Sequence, residues 1–411
     1  MKVLVISAAF PPMRAGEADH TLHLCQHLSD HGLSVNVLTT KTNQTKNNLP
    51  FKVYPLIRNW SWVDLLTLAR FLKLCSPDAV MLLYSGWIYN DHPMITFAPT
   101  ICKALLPHTT FVTQFEIAED SFRASIPTRI IRKIFKQWAG PKSIDYSFGT
   151  LLRDSDRSIV LSEHHLASFS EHLPGVESKA VVIPPPPLIH FSTEGREAAR
   201  RHGRERLGLS SKDFVIAYFG YVDQTKGVET LLKAFQIVIS RAVNVRLVMI
   251  GGGRGVAKNC SHERNEATHN YEMEMYKLAK QLDIADRVTW TSGYDSDSEE
   301  ASLFLHAADS CVLPYDEGVT LNRSSLGAAA AHGLPIITTR GKVMESAFVE
   351  ERNVLLCPPK NPRALAIAIE SLIHNPVLRQ RLHEGALKLA SEWFSWDKAV
   401  ERTIETLNGI K

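Results

Sequence analysis

Short apolar runs alternate with longer amphipathic stretches in the first half of the chain. A helical spacing of apolar residues at 22–28, stopped by Gly32, separates the first two runs. Strand, helix and strand at this spacing predict a parallel βαβ arrangement. The runs that predict buried strands are 2–7, 34–39, 78–83, 110–113 and 158–161.

The same alternation resumes after four consecutive prolines, Pro184–Pro187. Such a run is stiff and extended and cannot lie inside a sheet. Strands are predicted at 214–219, 246–250, 288–291 and 310–313, with a helix at 228–239. The pattern therefore predicts an α/β protein with an N-terminal domain at 1–188 and a C-terminal domain at 189–393. The carboxyl ends of the parallel strands, in a cleft between the domains, are the expected ligand site.

Composition narrows the function classes. The 411 residues carry a net charge of only +3, which gives no reason to expect nucleic acid as a partner. Six cysteines show no CxxC spacing and the histidines show no HExxH pattern, so we expect buried thiols in a reducing cytosol and no metal. No run reaches the roughly 18 apolar residues of a membrane helix. We therefore expect a cytoplasmic protein.

The most informative stretch is 314–335, which predicts a strand end, a loop and a short helix rich in alanine. The first N–H groups of such a helix can hold an anion, and Arg323 adds a fixed positive fork for phosphate oxygens. Glu317 is an acid available to sugar hydroxyls. The alternative is an ordinary strand–loop–helix crossover with a surface glutamate and arginine.

Further candidates lie in loops that follow predicted strands. Gly16 stands in the first loop, where the backbone approaches a ligand or turns with positive φ. In the second half, Lys226 precedes a helix, and Gly251 and Gly293-Tyr294 each follow a strand; Tyr294 is placed to stack on a nucleotide base. Glu116 follows the strand at 110–113. Each of these is equally compatible with an ordinary loop residue, a solvated lysine or a helix N-terminal acid.

The order of these residues resembles the donor-site signature of the family 4 retaining glycosyltransferases, and the resemblance covers nearly the whole chain. It is carried by Ala308-Asp309, Pro314-Tyr315, Glu317-Gly318 and His332-Gly333-Leu334-Pro335-Ile336-Ile337. The resemblance implies two facing Rossmann-like domains, the GT-B fold, with the last helix at 394–411 crossing back onto the first domain. It implies transfer of a sugar from a nucleotide-diphosphate sugar to a glycan or lipid-linked acceptor, without metal or other cofactor.

The resemblance also implies residue roles. Lys226, Arg323 and Glu317 take the catalytic positions, the two cations neutralising the leaving diphosphate. A departing phosphate oxygen takes the acceptor proton in that family. Glu116 and Phe115 lie on the acceptor side. The donor-binding positions are Gly16, Gly220, Tyr221, Gly251, Gly293, Tyr294, Gly318, Val319, Thr320, Ser324 and Ser325, with N–H groups at 318–320 aiding the cations.

Three positions depart from the family pattern. Tyr221 replaces an arginine, Phe115 stands nearest to a family histidine, and Ala328 replaces the glutamate that binds the donor ribose. The stretch from Glu317 to Gly333 is also three residues longer than usual. A non-catalytic sugar-binding or scaffold partner therefore stays open, as do a phosphorylase or an epimerase of nucleotide sugars. A nicotinamide oxidoreductase is disfavoured because the glycines after 250 lack the GxGxxG spacing.

Two further segments are interpreted from their patterns. Residues 128–138 place apolar side chains on one helical face and basic ones elsewhere, which is typical of contact with an anionic membrane surface or of a helix packed on the sheet. The two Asp-Ser-Asp sequences at 154–156 and 295–297 resemble metal-binding DxD motifs. We assign them no metal, because one adjoins a strand and the other precedes a helix, where Asp and Ser act as caps.

Overall fold

The computed structural model describes residues 1–13, 15–42, 48–117, 148–241, 244–251, 262–291 and 298–409. The chain divides into two compact units, one formed by 1–184 with 396–411 and the other by 185–395. Each unit is built on a parallel sheet, and helices connect most of its successive strands. The predicted fold class, two α/β units with parallel sheets, is confirmed.

The first unit contains a seven-stranded sheet in the order β3-β2-β1-β4-β5-β6-β7, with every neighbouring pair parallel. The reversal of order between β1 and β4 is the topological switch point of a Rossmann-like sheet. The strands are β1 (Lys2–Ile6), β2 (Ser34–Thr40), β3 (Lys52–Ile57), β4 (Ala79–Tyr84), β5 (Thr110–Phe115), β6 (Arg157–Val160) and β7 (Ala180–Val182).

The described helices of this unit follow their strands. They are α1 (Gly16–Asp30), α2 (Leu65–Cys75), α3 (Ala98–Leu105), α4 (Leu151–Asp154) and α5 (Glu163–His172). Helix α2 begins at Leu65, directly after a short turn. The carboxylate of Asp64 accepts the N–H groups of Arg58, Asn59 and Ser61, which holds these residues in a turn.

The second unit repeats the topology with six strands in the order β10-β9-β8-β11-β12-β13, again all parallel. Its switch point lies between β8 and β11. The strands are β8 (Phe214–Phe219), β9 (Val245–Ile250), β10 (Val288–Trp290), β11 (Ser310–Leu313), β12 (Ile336–Thr339) and β13 (Leu355–Cys357).

The helices of the second unit complete its two outer layers. They are α6 (Arg196–Arg206), α7 (Val228–Ile239), α8 (His262–Gln281), α9 (Glu300–Ala307), α10 (Ser324–Ala331), α11 (Pro362–His374) and α12 (Pro376–Trp393). Both α11 and α12 begin with the pair Asn-Pro. Asn361 and Asn375 accept the N–H groups of Ala364 and Leu378, and the following proline lacks an N–H that would need a partner.

The last helix, α13 (Trp396–Leu407), belongs to the first unit. The ring of Trp396 stacks on His27 of α1, with ring centroids 4.5 Å apart. Val400 and Leu407 are buried with the apolar residues of β1 and β4. The first unit therefore contains residues from both ends of the chain.

Some expectations fall outside the described residues, namely the segment 128–138, Gly293, Tyr294 and the second Asp-Ser-Asp sequence. Within the described ranges, no helix is both long and apolar enough to cross a membrane. Likewise, none of the described His, Cys, Asp and Glu side chains form a group of three or more that could hold a metal ion. Five described cysteines are buried free thiols, at positions 25, 75, 102, 311 and 357.

Candidate functional site

The loops at the switch point of the second sheet carry the two cations singled out from the sequence. Lys226 lies in the loop between β8 and α7, and Arg323 lies at the end of the loop between β11 and α10. Strands β8 and β11 are neighbours, so both loops leave the same edge of the sheet. In sheets of this topology, ligands bind in the crevice that such loops form.

The two loops are joined through the backbone. The N–H of Asp316 donates to the carbonyl of Thr225 at 3.0 Å. Gly227 has a φ of +67°, and a Cβ added there would lie 1.9 Å from the carbonyl oxygen of Pro314. Only glycine allows this approach, because any side chain would separate the loops. The close contact fixes the position of Lys226, the residue just before it.

Both cations lie against one aromatic ring. The Lys226 Nζ is 5.3 Å from the centroid of Tyr315, and the Arg323 Cζ is 4.7 Å from the same centroid. These distances are within the range of cation–π attraction. The Nε of Arg323 is buried and, within the described part of the chain, has no hydrogen-bond partner. A buried guanidinium N–H without an acceptor is suited to bind an oxyanion.

Tyr315 is itself held rigidly. It is 1% exposed, and its hydroxyl shares a hydrogen bond with Ser325 Oγ at 2.9 Å. Burial raises the pKa of Tyr315 to about 12, although the charge of Arg323 and the bond to Ser325 oppose the rise. The hydroxyl is therefore neutral at physiological pH. Tyr315 links the cations to Ser325 in the first turn of α10.

Helix α10 directs its amino end into this region. Arg323 occupies the N-cap without a side-chain cap, so the first N–H groups, including those of Ser324 and Ser325, lack an intrahelical acceptor. Gly220 has a φ of +134°, and a Cβ there would stand 3.9 Å from that of Ser325. These groups form a partly positive end suited to phosphate.

The N–H groups expected at 318–320 are partly occupied by the protein. Gly318 donates to the carbonyl of Tyr315 at 3.2 Å, and Val319 donates to that of Thr339 at 2.9 Å. The expectation that these two groups bind a diphosphate is wrong, because they already close the loop. Thr320 bonds through its hydroxyl to Asn322.

Glu317 is exposed and lines a cavity of about 500 Å³. Three basic residues, Arg340, Lys342 and Lys360, line the same cavity. Gly318, next to Glu317, packs closely against Gly341 of this lining, because a Cβ there would lie 2.1 Å from the Gly341 Cα. Glu317 is thus placed beside a cavity that is large enough for a sugar.

The other donor-side positions make contacts within the protein. Gly251, with a φ of +88°, ends β9 and donates its N–H to Thr291 Oγ1 at 3.2 Å. The carbonyl of Tyr221 accepts the hydroxyl of Tyr218 at 2.8 Å. These contacts shape the loops around the cations.

In the first unit, Glu116 belongs to a polar cluster at the carboxyl end of the sheet. Its Oε1 lies 3.1 Å from His20 Nδ1 and accepts Gln114 Nε2 at 2.7 Å. Burial raises the pKa of Glu116, but the charge and hydrogen bond of His20 and the bond from Gln114 outweigh it and lower the pKa. Glu116 is therefore ionised.

The structure corrects the acceptor role of Phe115, and at Gly16 it excludes only the positive φ, so that close approach to a ligand stays a prediction. Phe115 is fully buried, and its ring packs 4.6 Å from that of Phe169, so it cannot contact an acceptor. Gly16 begins α1 without a positive φ, and a Cβ there would meet nothing within 4 Å. The space around the Cα of Gly16 is therefore open, and its backbone angles are ones that other residues also adopt.

Sequence reasoning missed His20 and the role of Tyr315. His20 lies 96 residues before Glu116, so no local pattern joins them. A usable signal was that His20 follows β1 and Glu116 follows β5. These strands end at the same edge of the sheet, on either side of β4.

Known proteins resemble this chain in sequence. Residues 200–389 match the family model described as Glycosyl transferases group 1. D-inositol 3-phosphate glycosyltransferase from Corynebacterium diphtheriae is 26% identical over 262 residues, which are 63% of this chain and 57% of that protein. The match thus spans less than two thirds of this relative.

Solved structures resemble the whole chain. Sucrose-phosphate synthase from Thermosynechococcus elongatus has a TM-score of 0.70 at 17% identity, covering 99% of this chain and 98% of that one. Anabaena HepE in complex with UDP and glucose has a TM-score of 0.71 at 14% identity, covering 100% of both chains. At such identities the likeness carries the fold alone. The whole chain therefore shares the GT-B fold of these structures, and its residues 200–389, in the second unit, resemble the glycosyl transferases group 1 family.

Proposed function

We propose that this protein transfers a sugar from a nucleotide-diphosphate sugar to a hydroxyl of a glycan or lipid-linked acceptor, with retained anomeric configuration. Such a reaction serves polysaccharide or glycoconjugate synthesis. The observation that carries the proposal is the placement of Lys226 and Arg323, from two loops, against the single ring of Tyr315.

The chemistry explains why this placement matters. As the bond to the sugar breaks, negative charge builds on the leaving diphosphate while the sugar becomes oxocarbenium-like. Cations that are already oriented stabilise this charge without reorganising. We assign this role to Lys226 and Arg323, aided by the amino end of α10, and we assign sugar hydroxyl binding to Glu317. The two cations supply the neutralising charge that a metal provides elsewhere.

The donor is tested by thermal shift with UDP-, GDP- and ADP-sugars. A ligand at a hundred times its Kd stabilises the protein by about 2.7 kcal/mol. The complex of HepE with UDP and glucose makes UDP-glucose the first to try. Lys226→Ala and Arg323→Ala should each lose the shift. Lys233→Ala is the matched control, because this exposed lysine lies within α7 and forms a salt bridge with Glu229 one turn earlier.

Transfer is then measured by product analysis with candidate acceptors. The name of the Corynebacterium relative makes D-inositol 3-phosphate one of them, beside lipid-linked glycans. A glycosylated product with the donor's anomeric configuration supports the proposal. Sugar 1-phosphate or an epimerised donor as the product would replace it with phosphorolysis or epimerisation.

A non-catalytic sugar-binding partner is the second candidate, because Ala328 stands where the family has a glutamate. Ala328 is fully buried, so this position cannot present a side chain to a ligand. Nucleotide-sugar binding without turnover, combined with unchanged pathway output in Lys226→Ala and Arg323→Ala variants, would favour this candidate.

A further inference from the structure

One side of helix α2, in the first unit, carries large apolar side chains that are exposed to solvent. The 3₁₀ turn Trp62–Asp64 leads into α2, and its Trp62 and Val63 are 51% and 84% exposed. Leu66 and Leu74 of α2 itself are 64% and 83% exposed. Single exposed apolar residues are common, whereas several that share one face of an element mark an interaction site.

Helical geometry places most of these residues on one face. Counting from Val63, the exposed positions lie three, seven, ten and eleven residues further on, at Leu66, Arg70, Lys73 and Leu74. These spacings return to the same side of a helix with 3.6 residues per turn. The buried residues of α2, at 68, 71, 72 and 75, lie on the other side, in the core under the sheet. Helix α2 is thus apolar on two sides, and packing within the unit explains only one of them.

The exposed face is also positively charged. Arg70 and Lys73 are exposed between the two exposed leucines of α2. Arg58 is exposed and held beside the start of α2, because its N–H donates to the Asp64 carboxylate at 3.4 Å. Asp64 is the one acid in the sequence from 52 to 76, and it is buried, where it accepts N–H groups of the turn. This segment therefore presents cations to solvent and no carboxylate.

Trp62 lies at the amino end of the exposed face and is held by neighbouring rings. Its ring centroid lies 5.5 Å from that of His92 and 5.8 Å from that of Phe97. Tryptophan favours the boundary between water and lipid head groups, because its ring is apolar and its N–H is polar. Apolar side chains combined with Lys and Arg on one face are typical of a helix that lies in the interface of an anionic membrane.

We propose that this face docks the first unit on the surface of an anionic lipid bilayer. The docking face consists of four apolar residues and three cations, namely Trp62, Val63, Leu66 and Leu74 with Arg58, Arg70 and Lys73.

The charge of the docking face favours lipid over a second copy of this chain. A two-fold symmetric dimer places the same face of both copies together, so that the cations of one copy would oppose those of the other. Anionic head groups instead neutralise them. The docking face is distinct from the membrane contact predicted at 128–138, which lies outside the described residues. It also does not depend on the proposed glycosyl transfer.

The test measures binding of the full chain to sedimented phosphatidylcholine vesicles, with and without about one third phosphatidylserine. The wild type should bind the anionic vesicles and lose most of that binding between about 0.1 M and about 0.5 M NaCl, since salt screens exposed charges. Arg70→Gln combined with Lys73→Gln should weaken binding about 20- to 30-fold, since each cation near an anionic surface contributes about fivefold. Val63→Gln combined with Leu66→Gln should weaken it about tenfold or more, because less apolar surface leaves water.

Arg402→Gln and Ile367→Gln are the matched controls. Arg402 is exposed on α13, whose buried residues belong to the other core layer of the first unit, and Ile367 is 63% exposed on α11 of the second unit. Both controls should bind vesicles as the wild type does. All the substituted side chains are exposed, so every variant should keep the melting temperature of the wild type.

Three results would overturn the proposal. The first is a wild type that does not bind anionic vesicles. The second is binding that persists in both double variants of α2, or that only Arg132→Gln combined with Lys133→Gln removes. The third is a dimer in sedimentation equilibrium that Val63→Gln combined with Leu66→Gln abolishes, without vesicle binding, which would assign the face to a second copy. None of these results involves sugar transfer, so the proposed function is tested separately.

Discussion

Gly227 offers the sharpest perturbation of the proposed donor site. Substitution by alanine places a Cβ 1.9 Å from the Pro314 carbonyl oxygen, whereas ordinary contacts begin at 3.4 Å. The two loops must therefore separate by about 1.5 Å, and Lys226 moves with its neighbour. A misplacement of about 1 Å can cost about 10²-fold in activity.

The same substitution also strains the backbone at residue 227 and so lowers the free energy of unfolding. A control variant must show this effect by itself. A left-handed φ costs a non-glycine residue about 1–2 kcal/mol. Gly208 has a similar φ of +63°, but a Cβ there meets nothing within 4 Å. Gly208→Ala therefore carries the backbone strain without the collision.

Calorimetric titration with UDP and thermal unfolding distinguish the two effects. Both variants should melt a few degrees lower, since about 1 kcal/mol shifts Tm by about 2–4 °C in a domain of this size. Only Gly227→Ala should also lose UDP affinity and turnover, by tenfold or more. If Gly227→Ala binds UDP as tightly as Gly208→Ala does, the contact between the two loops does not position Lys226, and the reasoning is refuted.

Two further predictions concern stability. Burial lowers the pKa of His332 from 6.5 to about 4, so the unfolded chain binds more protons between these pH values. The contribution of His332 to the free energy of unfolding should be fully present above pH 6.5 and fall by about 3 kcal/mol toward pH 4. Urea unfolding measured between these pH values should show a weaker pH dependence for His332→Gln than for the wild type, and an equal pH dependence would contradict this prediction. Arg204 is buried and bonds Asp309 and three backbone carbonyls, so Arg204→Ala should lose about 3 kcal/mol or more. The exposed neighbour Arg206→Ala should change stability by less than about 1 kcal/mol, and equal losses in the two variants would contradict the role of burial.

The hydrophobic pattern alone predicted the bounds of a strand or helix correctly where glycines interrupt the pattern at its ends. The predicted strand 214–219 and helix 228–239 coincide with β8 and α7, because Gly220 and Gly227 interrupt the apolar periodicity between them. Strand β3 was missed, since it contains Pro55. The proline is tolerated because β3 lies at the edge of the sheet.

Contacts between distant residues could not be predicted in the same way. The pair of His20 and Glu116 joins residues 96 positions apart, and that of Arg204 and Asp309 joins residues 105 positions apart. None of these four side chains alters the pattern of apolar residues around it, so the sequence gives no sign that they are paired. For the loop between Glu317 and Arg323, the sequence likewise predicted the residue types that could bind a ligand. It could not predict that the N–H of Val319 donates to the carbonyl of Thr339 in β12 and is therefore not free for a phosphate.

The central claim is that Lys226 and Arg323 bind one diphosphate together, and a double-mutant cycle on UDP affinity tests it most directly. UDP dissociation constants are measured for the wild type, Lys226→Ala, Arg323→Ala and the double variant, with UMP as the ligand lacking the second phosphate. We predict a coupling energy of about 1 kcal/mol or more with UDP and a smaller one with UMP, since groups that share a partner are not additive. Losses that add to within about 0.3 kcal/mol would mean that the two cations act on separate ligands or on none.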